Sequence, residues 1–415
     1  MIPSAAVKLS RRVSGIAESA TTAVSRRASE LRRRGVSVVD FGVGEPDFDS
    51  PAVAVEAARA ALAAGFTRYT PTDGTPELRA ALAAGLAARY GAPWSGGDGV
   101  ITVGAKTALF ELALALFEDG DEVILPSPAW VSFPEQIRFA GAEPVTVATD
   151  PADGFAIRAE PLIEAMTPRT RAVLINSPCN PTGGTISAAD LAALAAACAE
   201  RGALLISDET YERFLYDGAV HASAAALAAE LPETVVLVGS FSKTYAMTGW
   251  RLGYTFGPKA VIKAVSNIQS HATSNPTSFA MKGAEAALVG AEADVAAMIA
   301  EYQARRDLLI PRLEALPGVT CRPPSGAFYA FPDVSGVYGD GIDGSLALAE
   351  RLLEDAAVAV VPGIAFGDDR HVRISFACAR EQIAEGLDRV AAFLGATGPA
   401  QPAATPADST PVKET

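Results

Sequence analysis

Short apolar runs alternate with Ala- and Leu-rich stretches of helical pattern between about residues 50 and 300. The runs predict seven strands: Val100–Val103, Glu122–Leu125, Pro144–Val147, Ala172–Ile175, Leu204–Ser207, Val235–Val238 and Leu252–Phe256. The helical patterns between them include Lys106–Phe117, Ala188–Glu200 and Ala222–Ala229. Strands that are apolar throughout are typical of a sheet covered on both faces. The repeated order of strand, helix and strand predicts an α/β fold with a mostly parallel seven-stranded sheet.

The pattern changes after about residue 300. A long helix, Ala300–Leu316, precedes two short strands, Ala327–Phe331 and Val372–Phe376, and a closing helix near Glu381–Leu394. This order indicates a smaller α+β domain that the N-terminal segment completes. We therefore predict an arm and part of the small domain over 1–48, a large domain over 49–299 and the small domain over 300–396. The last segment, 397–415, is rich in proline and lacks aromatic residues, which predicts a disordered tail.

Composition narrows the function classes. Of the 415 residues, 49% are hydrophobic and 20% charged, which argues against global disorder. The net charge of −14 argues against a nucleic-acid partner. The longest apolar run, Leu191–Ala199, is far too short for a membrane helix, and no apolar stretch precedes the charged N-terminal residues. Four widely spaced cysteines and three isolated histidines favour a cytoplasmic protein without a metal site.

Polar residues follow four of the predicted strands, where ligands bind in a sheet of this type. Asn180 follows one strand and Asp208 and Tyr211 follow the next. Other strands lead into two groups: Gly104, Ala105 and Lys106 at a helix start, and Ser240, Ser242, Lys243 and Arg251. Each group alone has a simpler explanation as a turn or a helix cap. Together they predict one site at one edge of the sheet.

These residues would suit a ligand that carries both a phosphate and an aldehyde. The amides of Ala105 and Lys106 suit a dianion, and so do the side chains of Ser240, Ser242 and Arg251. A lysine and an aspartate beside such a site suggest pyridoxal 5'-phosphate, with Lys243 joined to it as a Schiff base. Asp208 would pair with the pyridine nitrogen and keep it protonated. Tyr211 and Asn180 would reach the phenolic oxygen of the ring.

The motifs resemble the fold-type I pyridoxal-phosphate aminotransferases of class I, in particular the bacterial aspartate aminotransferase-like branch. The resemblance runs from about Leu9 to Leu394. It rests on motifs in the family's order: Gly44-Glu-Pro-Asp-Phe-Asp, Tyr69-Thr-Pro, Gly104-Ala-Lys, Pro128-Ala-Trp130, Asn180-Pro-Thr-Gly, Ser207-Asp-Glu-Thr-Tyr211, Ser-Phe-Ser-Lys243, Met247-Thr-Gly-Trp-Arg251 and Ser325-Gly-Ala-Phe-Tyr329.

The resemblance implies further roles. Trp130 would stack on the cofactor ring, and Arg373 would bind the substrate α-carboxylate with help from the amide of Gly44. Tyr69 would reach the phosphate of a neighbouring subunit, which implies a homodimer. Lys106 and Thr21 match positions associated with the distal carboxylate of acidic substrates. Lys106 has a second interpretation, a phosphate-loop or surface role, and both remain open.

The implied reaction is transamination between an L-amino acid, best matched by aspartate or another acidic amino acid, and a 2-oxo acid such as 2-oxoglutarate. It alternates between two forms of the cofactor, the second being pyridoxamine phosphate. Enzymes of the same fold with other reactions, such as a β-lyase or a decarboxylase, remain alternatives. A specialised biosynthetic aminotransferase with a non-acidic or prephenate-like substrate is another.

Overall fold

The computed structural model describes residues 7–14, 20–339 and 341–397. Its strands are β1 (Val39–Asp40), β2 (Gly99–Thr102), β3 (Glu122–Ser127), β4 (Glu143–Ala148), β5 (Thr170–Asn176), β6 (Leu204–Asp208), β7 (Val235–Ser240), β8 (Gly253–Phe256), β9 (Tyr329–Ala330), β10 (Val358–Ala359), β11 (Val361–Pro362) and β12 (Val372–Ser375). Its helices are α1 (Arg11–Ser14), α2 (Ala20–Arg33), α3 (Ala52–Ala63), α4 (Pro76–Tyr90), α5 (Ala105–Leu116), α6 (Ser132–Ala140), α7 (Ala159–Glu164), α8 (Ala188–Glu200), α9 (Phe241–Thr244), α10 (Lys259–Ala272), α11 (Ser278–Gly290), α12 (Glu292–Glu314), α13 (Ser345–Asp355) and α14 (Arg380–Thr397).

The large sheet contains the seven predicted strands, each with bounds close to the prediction. Their spatial order is β2-β8-β7-β6-β5-β3-β4, and all pairs are parallel except those that β8 makes with β2 and β7. The register places Asn176 opposite Asp208 and Ser240 opposite Gly253. The carboxyl ends of β5, β6 and β7 therefore meet at one edge, as the sequence predicted.

Both faces of this sheet are covered. Val173 and Ile175 of β5 pack in a core with α7 and α8, whereas Leu174 packs with α5, α6 and α10 on the opposite face. Successive strand residues point to opposite faces, so a strand covered on both sides must be apolar at every position. This explains the uninterrupted apolar runs.

A second group of elements surrounds its own core. Strands β11, β12 and β9 form an antiparallel sheet, and β1 pairs in parallel with β10, so the N-terminal segment joins the C-terminal part. The long helix α12 begins at Glu292, eight residues before the predicted Ala300. This start was not predicted from the sequence because none of the usual side-chain caps marks it. Residue 300, the predicted start of the small domain, lies inside α12, and the domain boundaries stay predictions.

Two local predictions were wrong. The predicted helix at Ala222–Ala229 is only a 3₁₀ turn over Ala224–Leu227. The turn starts two residues later than predicted, at Ala224, whose N–H donates to the buried carboxylate of Glu209 with N to Oε1 at 2.8 Å. The predicted strand at Ala327–Phe331 shrinks to Tyr329–Ala330 because Ala327 takes a positive φ of 57°. The predicted tail lies outside the described residues, apart from its first residue, which ends α14.

Within the described part of the chain, no helix is long and apolar enough to cross a membrane. The same residues contain no group of three or more His, Cys, Asp and Glu side chains that could hold a metal ion. All four cysteines are free, and three of them are buried.

Candidate active site

A cavity of about 440 Å³ lies at the carboxyl edge of the large sheet and reaches the smaller sheet through Arg373 and Tyr329. Most residues that the sequence predicted for the site line it: Gly44, Ala105, Lys106, Trp130, Asn180, Asp208, Tyr211, Ser240, Ser242, Lys243, Arg251 and Arg373. Tyr69 is 88% exposed and is not among the lining residues. Thr21 lies on α2, and its side chain is outside the described residues.

Lys243 lies at the centre of this set, on the short helix that follows β7. Its Nζ donates a hydrogen bond to the carbonyl oxygen of Gly44. Burial is the main cause that lowers the pKa of Lys243 to about 8; the nearby cations act in the same direction and Glu45 opposes them. A large fraction of the amine is therefore neutral near pH 8, the state in which it can attack a carbonyl carbon or take a proton.

Asp208 ends β6 and is almost fully buried. Its Oδ1 accepts a hydrogen bond from the backbone N–H of Thr210 at 3.1 Å, while burial raises the pKa of the carboxyl to about 6. It forms no ion pair with any residue that the structure describes. A buried carboxyl of this kind gains from a cationic partner, such as a protonated ring nitrogen.

Arg373 lies on β12 and is only 2% exposed. Its guanidinium donates to Asn180 Oδ1 at 3.1 Å and to the carbonyl oxygen of Gly42 at 2.8 Å. Nε has no hydrogen-bond partner among the described residues, and no carboxylate in that part of the chain pairs with this side chain. Because an unpaired buried charge is costly, the arrangement favours an anionic ligand, and a carboxylate fits a guanidinium well.

The opposite end of the cavity is built mainly from backbone. Helix α5 starts there after Gly104, whose φ is +82°, and no side chain of the described residues caps its first turn. A Cβ on Gly104 would lie 2.5 Å from Nη2 of Arg251, so only glycine leaves room for that guanidinium. The free N–H groups of a helix start beside an arginine form a site for a phosphate.

Two serines complete this phosphate end. Ser240 Oγ accepts a hydrogen bond from the backbone N–H of Ser242 at 3.0 Å and donates to the carbonyl oxygen of Leu252 at 3.4 Å. Arg251 is held by a hydrogen bond from Nη1 to the carbonyl oxygen of Thr248 at 2.9 Å. These contacts fix the polar groups before any ligand arrives, which lowers the entropic cost of binding.

Lys106 and Trp130 form one wall. The Nζ of Lys106 lies 4.8 Å from the centroid of the Trp130 ring, and Trp130 packs edge-on against Phe133. Burial lowers the pKa of Lys106, and the charge of Arg251 lowers it as well. Lys106 is exposed to solvent at the mouth of the cavity but lines it, which argues against a purely surface role.

Tyr211 and Asn180 reach the same cavity, where both already have side-chain partners. The Tyr211 hydroxyl lies 2.9 Å from the hydroxyl of Tyr329. Asn180 uses its side-chain oxygen to accept from Arg373, which leaves its NH₂ group as the donor toward the cavity.

Several other residues that line the cavity were not assigned a role from the sequence: Ser25, Gly42, Leu109, Asn176, Thr210, Thr248 and Tyr329. Asn176 ends β5, and the position of a polar residue at a strand end was a usable signal for it. Tyr329 is the last residue of the Ser325-Gly-Ala-Phe-Tyr329 motif. That motif contributed to the family resemblance, but no role was predicted for the tyrosine ring. Nothing in the local pattern around Ser25 distinguishes it from other polar positions of α2.

The charges of the lining side chains are unbalanced. Among the described residues that line the cavity, four are cationic (Lys106, Lys243, Arg251 and Arg373) and one is acidic (Asp208). The chain as a whole carries −14. Such a local excess of positive charge indicates a site for ligands with several negative charges.

Comparison with known proteins agrees with this geometry. Residues 36–390 match the family described as aminotransferase class I and II. The aspartate aminotransferase of Geobacillus stearothermophilus is 42% identical over 94% of this chain and all of its own length. The aspartate/prephenate aminotransferase of Thermus thermophilus is 46% identical, with 93% of this chain and 99% of that protein covered.

Solved structures show the same similarity. A Thermus thermophilus aspartate aminotransferase structure with maleate has a TM-score of 0.88 and 45% identity, and the match covers 93% of this chain and 99% of that one. The aspartate aminotransferase of Rhizobium meliloti has a TM-score of 0.90 and 39% identity, with 94% and 99% covered.

Proposed function

The chain belongs to the class I and II aminotransferase family, and from this membership we propose the roles of its residues and the class of its substrate. It is a fold-type I, pyridoxal-phosphate-dependent aminotransferase of the aspartate aminotransferase-like group. Its reaction is transamination between an amino acid and a 2-oxo acid. The relatives thus favour transamination over the β-lyase and decarboxylase alternatives.

The residues of the cavity suit pyridoxal phosphate. The start of α5 with Arg251, Ser240 and Ser242 would hold the phosphate, and Lys243 has the amine that would bond to the aldehyde. Trp130 would lie against the ring. When bound, the cofactor supplies a ring that accepts electrons from the substrate carbon that loses its proton.

The other side chains act around that ring. Asp208 would keep the ring nitrogen protonated, because its buried carboxyl has no other cationic partner within the described residues. Tyr211 and the NH₂ group of Asn180 would donate hydrogen bonds to the ring oxygen. Arg373, with the amide of Gly44, would hold the α-carboxylate of the substrate. The neutral amine of Lys243 would then carry the proton from the α-carbon.

We propose an acidic amino acid, best matched by aspartate, as the amino donor, with 2-oxoglutarate as the acceptor. The surplus of positive charge in the cavity is the observation that carries this proposal. Arg251 serves the phosphate, Arg373 serves the α-carboxylate, and Lys243 is used in the chemistry. Lys106 then remains as the cation for a second carboxylate. Thr21 is proposed as its helper on the basis of the resemblance alone.

The relatives support a substrate with two carboxylates. Two of them are named aspartate and aspartate/prephenate aminotransferase, and one solved structure contains maleate, a dicarboxylate. A prephenate-like substrate is the second candidate, favoured by the Thermus name. Prephenate also has two carboxylates, so the role of Lys106 is the same in both cases.

The test compares Lys106→Met with Lys106→Arg. We expect Lys106→Met to lower kcat/KM for L-aspartate by about 30-fold and to change kcat/KM for L-alanine by less than about threefold, because alanine has no second carboxylate. Lys106→Arg should recover part of the loss. Equal losses for both amino acids would instead assign Lys106 to the phosphate end and contradict the proposal.

We also propose a cytoplasmic homodimer in which Tyr69 contacts the phosphate bound by its partner. The exposure of Tyr69 in one protomer supports this, and the four free cysteines support the location. Lys243→Ala and Tyr69→Ala subunits should each have little activity alone. Mixed dimers should regain activity, because one of their two sites combines an intact Lys243 with an intact Tyr69. Mixed dimers that stay inactive would refute the shared site.

A further inference from the structure

Tyr329 is buried in the cavity wall, and none of the roles above uses it. It lies on β9 and is 1% exposed. In the antiparallel register it pairs with Ser375 of β12. Paired residues share a face of the sheet, and so do residues two apart on a strand, so Tyr329 and Arg373 lie on the same face as diagonal neighbours.

The tyrosine ring contacts the arginine directly. The guanidinium carbon of Arg373 lies 4.4 Å from the centroid of the Tyr329 ring, and 5.3 Å from that of Phe366. This buried cation has no carboxylate partner among the residues that the structure describes. Attraction between a cation and an aromatic face grows when water is excluded, so the ring both orients the guanidinium and offsets part of its burial.

The hydroxyl of the same ring lies 2.9 Å from the hydroxyl of Tyr211. A single hydrogen can lie between two hydroxyl oxygens at that distance. If Tyr329 donates it, the hydrogen of Tyr211 is free for an acceptor in the cavity. The site of a Cβ on Gly44 lies only 3.4 Å from the Tyr329 oxygen, and the Gly44 carbonyl accepts from Lys243, so the loop around Gly44 closes the other side of this group.

We propose that Tyr329 is a positioning residue that holds the guanidinium of Arg373 with its ring and directs the hydrogen of Tyr211 into the cavity with its hydroxyl. The inference rests on the proposed functions of Arg373 and Tyr211. One side chain thus links the group that binds the substrate carboxylate to the group that binds the cofactor ring oxygen.

The first test measures ligand binding without turnover, as the dissociation constant of maleate from the holoenzyme. Tyr329→Phe keeps the ring and should change this constant by less than about threefold. Tyr329→Leu removes the ring and should weaken maleate binding by about tenfold or more, because the guanidinium loses its aromatic face. Similar maleate binding by the Phe and Leu variants would overturn the role of the ring.

The second test is spectroscopic: the pH midpoint of the visible absorbance of the bound cofactor. Tyr329→Phe should move it upward by about 0.5 pH units or more. The reason is that Tyr211, without the Tyr329 hydroxyl, becomes a weaker donor to the ring oxygen. More negative charge then stays on that oxygen, and this charge holds the proton on the Lys243 nitrogen more tightly. Tyr211→Phe should also raise the midpoint, and adding Tyr329→Phe to it should cause no further shift. An unmoved midpoint in Tyr329→Phe, or additive shifts in the double variant, would overturn the role of the hydroxyl.

Two further variants separate the alternatives. Tyr216→Phe is the control, since its hydroxyl is also buried and donates to the carbonyl oxygen of Ala327, but it does not line the cavity. It should move neither readout, and a shift equal to that of Tyr329→Phe would overturn the inference. Arg373→Lys tests the underlying assignment: unchanged maleate binding would refute the proposed role of Arg373 itself. Weaker binding in Arg373→Lys with normal binding in Tyr329→Leu would refute only the role of Tyr329.

Discussion

The two ends of the cavity bind anions by different means. At the phosphate end, backbone N–H groups at the start of α5 lie beside Arg251, which is exposed to solvent. At the carboxylate end, Arg373 is 2% exposed and is held between aromatic rings, an amide oxygen and a carbonyl oxygen. The first end shares the charge of its ligand among several groups, whereas the second concentrates the task on one buried cation.

This difference decides how each end responds to change. An exposed cation is screened by water, and the helix start keeps its donors when the arginine is altered. A buried cation has no such substitute, because water and other donors are excluded from its surroundings. The carboxylate end should therefore depend far more on its arginine than the phosphate end does.

The largest effect is expected when two single variants, Arg373→Lys and Arg251→Lys, are compared. Arg373→Lys should lower kcat/KM for L-aspartate by about 100-fold or more, because lysine loses the two-pronged geometry and leaves the Asn180 and Gly42 oxygens poorly matched. Arg251→Lys should weaken cofactor binding by only about tenfold, because the N–H groups of α5 remain. Steady-state kinetics and cofactor titration measure the two effects.

As a control, cofactor binding is measured for Arg373→Lys and aspartate binding for Arg251→Lys. Arg373→Lys should bind the cofactor with nearly normal affinity, and Arg251→Lys saturated with cofactor should keep most of its affinity for aspartate. If both variants lost both properties to a similar degree, the two ends would not be separate sites.

A smaller effect is expected inside the helix that forms the phosphate end. Glu111 of α5 is buried, neither carboxylate oxygen has a hydrogen-bond partner among the described residues, and burial raises its pKa to about 7. A carboxyl whose pKa is higher in the folded protein stabilises the fold less as pH rises. The contribution of Glu111 to the free energy of unfolding is therefore lost as the pH rises from about 4.5, the usual pKa of the carboxyl, to about 7.

Glu111→Gln removes this pH dependence. Relative to wild type, the variant should gain about 2 kcal/mol in free energy of unfolding between pH 5 and pH 8, with no further gain above that range. Denaturant unfolding at several pH values measures the gain, and cofactor affinity at the phosphate end should stay unchanged. A stability difference that is constant across pH would show that the carboxyl does not ionise in this range.

Prediction from the sequence succeeded where the chemistry is local. Three site residues lie at or just after the end of a strand that an apolar run marks in the sequence: Gly104, Asp208 and Lys243. Their place at the sheet edge could therefore be expected. The same local signals failed at Ala224–Leu227, a 3₁₀ turn whose first N–H donates to the distant Glu209, and at Glu292, where a helix begins without a side-chain cap.

The carboxylate end was harder to predict because its parts are far apart in the chain. Arg373 was identified only by resemblance, and Tyr329 was assigned no role, although their ring contact is among the shortest between an aromatic group and a cation in the cavity wall. Asn180 and Gly42, which accept from Arg373, lie 193 and 331 residues away from it. No spacing rule connects positions at such distances.

The sequence by itself determined the seven-stranded sheet, the strand-end motifs and the family, because apolar runs, glycines and helix starts act over a few residues. The tertiary structure alone decided that Arg373 is buried with no carboxylate partner among the described residues, that Tyr329 lies between Arg373 and Tyr211, and that Arg251 fills the space beside Gly104. The physical reason is that burial and contact arise from strand register and packing, which join segments that are hundreds of residues apart.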